Sequence, residues 1–311
     1  MEGCSFLRRY LPGRTTLLRA AVILNPVKVP EDFQSIVDVA LTKHDFTNTL
    51  WLETAEDDPG ISMAKRAIEE TVDLVVVAGG DGTVRVVCAE LAGTAIPIAV
   101  LPVGTGNLLA RNLDISLDLE IALVEVLGGT ERRIDSVQVE GDELGTDRFV
   151  VMAGLGLDAA IIADAPDELK KRVGWAAYIV STLKNLNHPF VTVEITIDDR
   201  RPFTRRARTA VIGNVGTLQA NIPLLPDARP DDDLIDLVVL APRRLTHWPR
   251  LVLSLVAKSV QEGRHIERFT GRTIRLRTPT PVRRQLDGDE IPEGTTLTAS
   301  VDPAALVVRV P

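Results

Sequence analysis

Three glycines around one carboxylate, Gly79-Gly80-Asp81-Gly82, followed by Thr83, stand directly behind the unbroken apolar run LVVVA at 74–78. Glycine reaches backbone angles that a side chain forbids and lets a ligand approach the main chain without meeting a Cβ. A helix opening at Thr83 would offer unpartnered N–H groups and a dipole that favours an anion. Together these features read as a nucleotide phosphate site. Asp81 is the odd member, because a carboxylate beside phosphates repels them unless a cation stands between; that favours a metal–nucleotide complex over a bare anion. The plain alternative is a tight strand-to-helix turn with a solvated aspartate.

A second segment, IPIAVLPVGTGNLLARNL at 96–113, repeats the arrangement. A buried strand leads into a turn with Gly104, Thr105, Gly106 and Asn107, and a helix starts at Leu108. Two such turns in consecutive strand–helix units strengthen the phosphate reading.

Candidate acids lie in the second half. In RRQLDGDEIPEGT at 283–295, Asp287-Gly288 is a strong hairpin signal, and a turn alone would explain it. The chemical alternative is that Asp289 or Asp287 faces the transferred phosphate and accepts a proton from a substrate hydroxyl. In PDARPDDDLID at 226–236, clustered carboxylates and carbonyls suit a hard cation such as Mg²⁺ or Ca²⁺, although most acidic runs are solvated loops. Asp158, in GLGLDAAII, fits a helix N-cap. Segment 242–260 combines Arg243, Arg244, Arg250, Lys258 and Trp248 with leucines, which suits a helix over a sheet or one lying on an anionic membrane surface.

These residues need a scaffold. Strands are expected at 20–26, 49–54, 73–78 and 96–102, with helices around 31–43, 60–70, 83–92 and 107–127. Such alternation gives a parallel, Rossmann-like sheet covered by helices, and the polar turns then share the crevice at the strands' carboxyl ends. Beyond it the grammar changes to short alternating strands around 133–139, 148–153, 191–197, 205–213, 234–240, 272–278, 282–287 and 295–301, which predict a β-rich antiparallel sandwich. Helices are expected near 166–187 and 243–262, and the last strand, 305–311, could return to either half. The fold class is therefore α/β, with a nucleotide domain over 1–130 and a substrate domain over 131–302.

Composition narrows the function. With 311 residues, 45% hydrophobic and 25% charged, the chain is an ordinary globular one of two-domain size. A net charge of −8 argues against nucleic-acid binding. Cys4 and Cys88 form no metal motif, and the histidines 44, 188, 247 and 265 are dispersed. No GxxxxGK[ST], HExxH or GxSxG is present, which excludes an ordinary P-loop and disfavours zinc or serine hydrolase chemistry. No stretch approaches the roughly 20 apolar residues of a membrane span, and the first residues lack a signal-peptide core. A cytoplasmic protein is expected, with contact at the inner membrane face left open.

Taken together, AGGDGTVRVV, LPVGTGNLLARNL, AGLGLDA, PDARPDDDLID and QLDGDE resemble the diacylglycerol kinase catalytic-domain family, in order and spacing from Asn25 to Pro311. The resemblance implies an ATP-dependent kinase that phosphorylates a lipid hydroxyl such as that of diacylglycerol, with ATP and Mg²⁺ as cofactors. It implies a nucleotide site at Asn25, Pro26, Thr54, Gly79, Gly80, Asp81, Gly82, Thr83 and Thr105, and a final strand that returns to the first domain. It places the catalytic base on Asp289 and a structural Mg²⁺ on Asp232 with Arg229 and Leu234.

Departures from the family pattern are visible. The base position holds Asp where Glu is commoner. The family's Asn-Pro-x-Ser-Gly loop reads Asn25-Pro26-Val27-Lys28-Val29, so Lys28 could supply charge to the phosphates. Its Asp-Gly in the acidic loop is Asp232-Asp233, and Asn107 precedes Leu108 where many members have Asp. An NAD kinase-like or other soluble-substrate kinase, and a non-catalytic nucleotide or lipid sensor, stay open at this point, as does a homodimer.

Overall fold

A computed structural model describes residues 18–156, 190–218, 223–241 and 266–311. The readings at Asp158, over 166–187 and over 242–262 fall outside those residues.

The first half alternates as its pattern predicts. Strands β1 (Leu18–Leu24), β2 (Phe46–Glu53), β3 (Leu74–Gly79) and β4 (Pro97–Pro102) form a parallel sheet in the order β2-β1-β3-β4. Helices α1 (Phe33–Lys43), α2 (Ile61–Glu69) and α3 (Asp81–Leu91) connect them. Val75, Val76 and Val77 are fully buried, as a β-branched run without polar alternation requires in a strand covered on both faces. Parallel pairing sets all four carboxyl ends along one edge. The Asn25 amide donates to the Ala78 carbonyl at 2.9 Å and the Thr54 amide to the Leu24 carbonyl at 2.9 Å, so the segments leaving β1 and β2 turn together beside β3.

The single helix expected over 107–127 is two, α4 (Leu108–Asn112) and α5 (Leu119–Gly128). The break comes at Asp114, held at φ 58°, and Asp118 then caps α5 by accepting the Glu120 and Ile121 amides, each at 3.1 Å.

The second half is antiparallel. It contains β5 (Thr130–Gly141), β6 (Leu144–Phe149), β7 (Met152–Leu155), β8 (Val191–Ile197), β9 (Phe203–Ala207), β10 (Thr209–Gly213), β11 (Ile235–Leu240) and β12 (Ile266–Gly271). Two long strands complete it, β13 (Thr273–Leu286) and β14 (Asp289–Val310). The stretches 148–153 and 205–213 each divide into two strands, whereas 272–278 and 282–287 merge into β13, with a register shift between Arg277 and Val282. β12 is an added strand that the alternation did not disclose. On β8, Val193, Ile195 and Ile197 are buried as the alternation predicts.

β13 is the branch point of the sheet. It pairs with β14 along one side, with β8 over Ile274–Arg277 and with β7 over Arg284–Leu286, so its two halves serve different leaves around a second apolar core. β14 joins the two halves of the molecule. It begins in the hairpin with β13, runs beside β5, and lies parallel to β4 at Val307↔Pro97 and Val308↔Ile98. One strand therefore carries the 287–289 turn at one end and is anchored in the parallel sheet at the other.

Candidate active site

The two glycine turns touch. A Cβ built on Gly104 would lie 2.6 Å from the Gly80 Cα and 3.3 Å from the Gly79 carbonyl oxygen, so only glycine allows this approach. The Asp81 carboxylate fastens them: it accepts the Asn107 amide at 3.0 Å and the Leu108 amide at 2.7 Å. Asn107, in left-handed conformation at φ 50°, closes the second turn by accepting the Gly104 amide at 2.9 Å and donating to the Gly104 carbonyl at 2.7 Å. Burial raises the Asp81 pKa, against the pull of the Leu108 and Asn107 amides and of Lys28.

Around this pair Gly79, Gly80 and Thr83 are buried, and Asp81 and Gly82 are half-buried. α3 starts at Asp81 with Gly80 as its N-cap in extended conformation, and no side chain caps its first amides. Those N–H groups suit an anion. Thr83 is buried, its side chain filling the space a Cβ on Gly79 would need. Lys28 reaches in from the β1 side: its Nζ occupies the place of a Cβ on Gly80. The Lys28 amide donates to the Asn25 carbonyl at 3.0 Å and the Val27 amide to Asn25 Oδ1 at 3.1 Å, so Asn25-Pro26 builds the turn that aims the lysine. Thr54 is buried at the end of β2, and Thr105 is exposed on the second turn.

The hairpin brings its acids to different places. Asp287 and Gly288 both have positive φ, 47° and 97°, the two-residue turn that an Asp-Gly pair favours. Asp287 points inward: its carboxylate accepts the Val150, Val151 and Met152 amides at 2.9, 3.0 and 2.7 Å. Burial pushes its pKa up to about 7, although those amides and the Arg85 charge act in the opposite direction. Asp289 points toward the first glycine turn. A Cβ on Gly82 would meet its two carboxylate oxygens at 3.0 and 3.1 Å, so the acid lies directly against the first turn.

Two residues not singled out in the sequence complete the cluster. Arg85, on α3, donates through Nε and Nη2 to Asp289 Oδ2 at 3.3 and 3.1 Å, and through Nη1 to both oxygens of Asp147 on β6 at 3.0 and 3.1 Å. Burial would lower the Arg85 pKa, but the charges of Asp147, Asp287 and Asp289 outweigh it and hold the pKa above the ordinary value. Arg85 left one signal, as a lone charge among the apolar residues 84, 86, 87 and 88. Asp147 left none.

The acidic loop disperses its carboxylates. Asp231 pairs with Arg132 at 2.7 Å, Asp233 with Arg272 at 3.3 Å, and Asp236 with the Thr270 hydroxyl. Asp232 accepts the Leu234 amide at 3.2 Å, and its pKa is raised by burial and by Asp236, Asp135 and Asp231. Asp233 takes φ 60°, so it holds the left-handed turn that a glycine would favour. Among the described residues no group of three His, Cys, Asp or Glu gathers where it could hold a metal ion.

Two hollows of the β-rich half have their linings among the described residues. One is an apolar slot of about 10 Å³ lined by Leu155, Val191, Val193, Ala207, Ala210 and Val282. The other, about 320 Å³, is lined by Arg200, Asp227, Asp236, Arg268, Phe269 and Thr270. Neither is lined by Gly82, Arg85 or Asp289.

The two glycine turns and the 287–289 hairpin that meet here carry three of the five motifs on which the sequence resemblance rests. The diacylglycerol kinase catalytic domain matches residues 19–139, and the YegS C-terminal NAD kinase beta sandwich-like domain matches residues 150–310. The chain belongs to this lipid kinase family. A diacylglycerol kinase of Bacillus subtilis (strain 168) is 28% identical over 278 residues, covering 87% of this chain and 89% of the relative. Likeness of fold extends to a solved diacylglycerol kinase of Bacillus anthracis str. Sterne, with a TM-score of 0.74 and 21% identity over 96% of this chain and 98% of that one. An NAD kinase from Archaeoglobus fulgidus, solved in complex with ATP, shares the fold more distantly, with a TM-score of 0.53 and 13% identity over 94% of this chain and 93% of that one. Family membership makes the chain a kinase of the diacylglycerol kinase type, and kinases of this family use ATP. No helix among the described residues is long and apolar enough to cross a membrane.

Proposed function

We propose that this kinase transfers the γ-phosphoryl group of Mg–ATP to a lipid hydroxyl such as that of diacylglycerol. One observation carries the reading most: the Asp289 carboxylate stands against Gly82, at the start of the helix whose first amides are free for phosphate. An acid and a phosphate cradle within one cleft are the parts phosphoryl transfer needs, because catalysis there is mostly positioning and charge stabilisation.

The residues present fit a metal–nucleotide complex. Glycine backbones at 79, 80, 82 and 104 leave no Cβ in the cradle, and Thr83 and Thr105 add hydroxyls beside it. Lys28 brings an ammonium to Gly80, where it would neutralise phosphate charge. Bound Mg–ATP supplies the phosphoryl group and a cation beside it. Asp81 keeps the two turns in register, its carboxylate facing the Asn107 and Leu108 amides. Asp289 accepts the proton of the substrate hydroxyl. Asp287 acts through the hairpin, which it ties to the backbone between β6 and β7. Asp232, with the carbonyls of Arg229 and Leu234, would hold a structural Mg²⁺, which would relieve the repulsion from Asp236, Asp135 and Asp231.

On this reading residues 1–130 with the end of β14 bind nucleotide and 131–302 bind lipid, at a cytoplasmic membrane face. The test is a panel of lipid alcohols in mixed micelles with Mg–ATP labelled on its γ-phosphate. Label in a lipid phosphate is the expected result. Label appearing only in NAD or another soluble acceptor, or in none while ATP binds, contradicts it.

A further inference from the structure

We propose that Arg85 is a positioning residue that holds Asp289 by one oxygen, leaving Oδ1 as the atom that takes the substrate proton; naming that proton rests on the kinase reading above. Both Arg85 nitrogens that reach Asp289 meet the same oxygen, Nε at 3.3 Å and Nη2 at 3.1 Å from Oδ2. No side-chain or backbone donor among the described residues reaches Oδ1, which stands over the Gly82 main chain. Both oxygens stand against Gly82, Oδ2 at 3.0 Å and Oδ1 at 3.1 Å from the place of a Cβ there; Arg85 occupies Oδ2 and leaves Oδ1 open to a substrate hydroxyl.

The holding group is itself held. The Arg85 side chain is 11% exposed against 48% for Asp289, so a buried anchor carries an accessible acid. Asp147 takes the remaining Nη1 at 3.0 and 3.1 Å, which fixes the rotation of the guanidinium plane. A planar fork serves two carboxylates in fixed directions, whereas an ammonium offers one point of charge. Arg85 also lies one turn into α3, the helix that the glycine turn opens. The acid on β14 is thereby referenced to the phosphate cradle itself, across the join between the two halves of the chain.

Two measurements test this. In steady-state lipid phosphorylation, Arg85→Ala should lower kcat about 100-fold with KM for ATP unchanged, the scale expected for a misplaced catalytic group. Arg85→Lys should recover only part of the loss. In an Asp289→Ala background, adding Arg85→Ala should change turnover no further, because both act through one proton transfer. Independent losses in the double variant would overturn the proposal.

Hydrogen exchange across 287–290 needs no substrate and asks the same question of the hairpin. Faster exchange there in Arg85→Ala, with thermal unfolding otherwise retained, supports the hold; unchanged exchange overturns it. An Asp289→Ala variant with full turnover would instead remove the base assignment, an outcome the exchange measurement distinguishes from failure of the Arg85 hold.

Discussion

The Asp81 carboxylate accepts the Leu108 amide at 2.7 Å, so the first glycine turn caps the helix that follows the second. A residue that reads in sequence as a partner for a metal serves in the fold as the fastener between two glycine turns. Asp81→Ala should therefore loosen both. The expected result is a drop of about 0.5–2 kcal/mol in stability, as for other lost caps, together with at least tenfold weaker ATP binding by calorimetry. Unchanged ATP affinity would separate the fastening from the nucleotide site.

Glycine substitutions should rank by what they meet. At Gly104 a Cβ would lie 2.6 Å from the Gly80 Cα, which is backbone and cannot swing aside, so Gly104→Ala should part the turns and abolish ATP binding. At Gly80 the obstacle is the Lys28 ammonium, the far end of a flexible chain. Gly80→Ala should keep the fold and weaken ATP binding only as far as displacing Lys28 does. At Gly145 nothing lies within 4 Å, so Gly145→Ala should leave thermal unfolding within a degree or two of the parent. A set of unfolding and ATP-binding curves in any other order contradicts the contact between the turns.

The parallel half was legible because each of its signals is local. An unbroken β-branched strand, a glycine turn and a helix start follow one another within LVVVAGGDGTVRVV, and the fold honours them in sequence. The hairpin was legible too, since Asp287-Gly288 dictates its own backbone. What did not show is the alliance of residues far apart in the chain. Arg85, Asp147 and Asp289 meet only because β6 and β14 bring two distant segments over α3, and no spacing within one segment encodes that. Asp287 was a candidate for proton transfer from its place in the Asp-Gly turn; in the fold the amides of Val150, Val151 and Met152 face its carboxylate, an arrangement that only the folded β6–β7 corner discloses.

Asp287 should mark the stability of the protein with a pH dependence. In the folded state its pKa stands at about 7, against 3.8 for an ordinary aspartate, so folding takes up a proton between those values. The folded state is favoured at the acid end of this window, and that contribution is lost as pH rises from about 4 to about 7. Thermal unfolding across this range should show the parent losing stability relative to Asp287→Asn, which cannot titrate there. Parallel curves for the two proteins would mean that Asp287 is already ionised in the fold.

The most direct test of the account compares lipid phosphorylation by the parent, Asp289→Ala and Asp289→Glu under Mg–ATP. Asp289→Ala is expected to bind ATP like the parent yet lose at least about 100-fold in kcat, the scale of general-base loss, while Asp289→Glu retains measurable turnover. Full turnover by Asp289→Ala would contradict it.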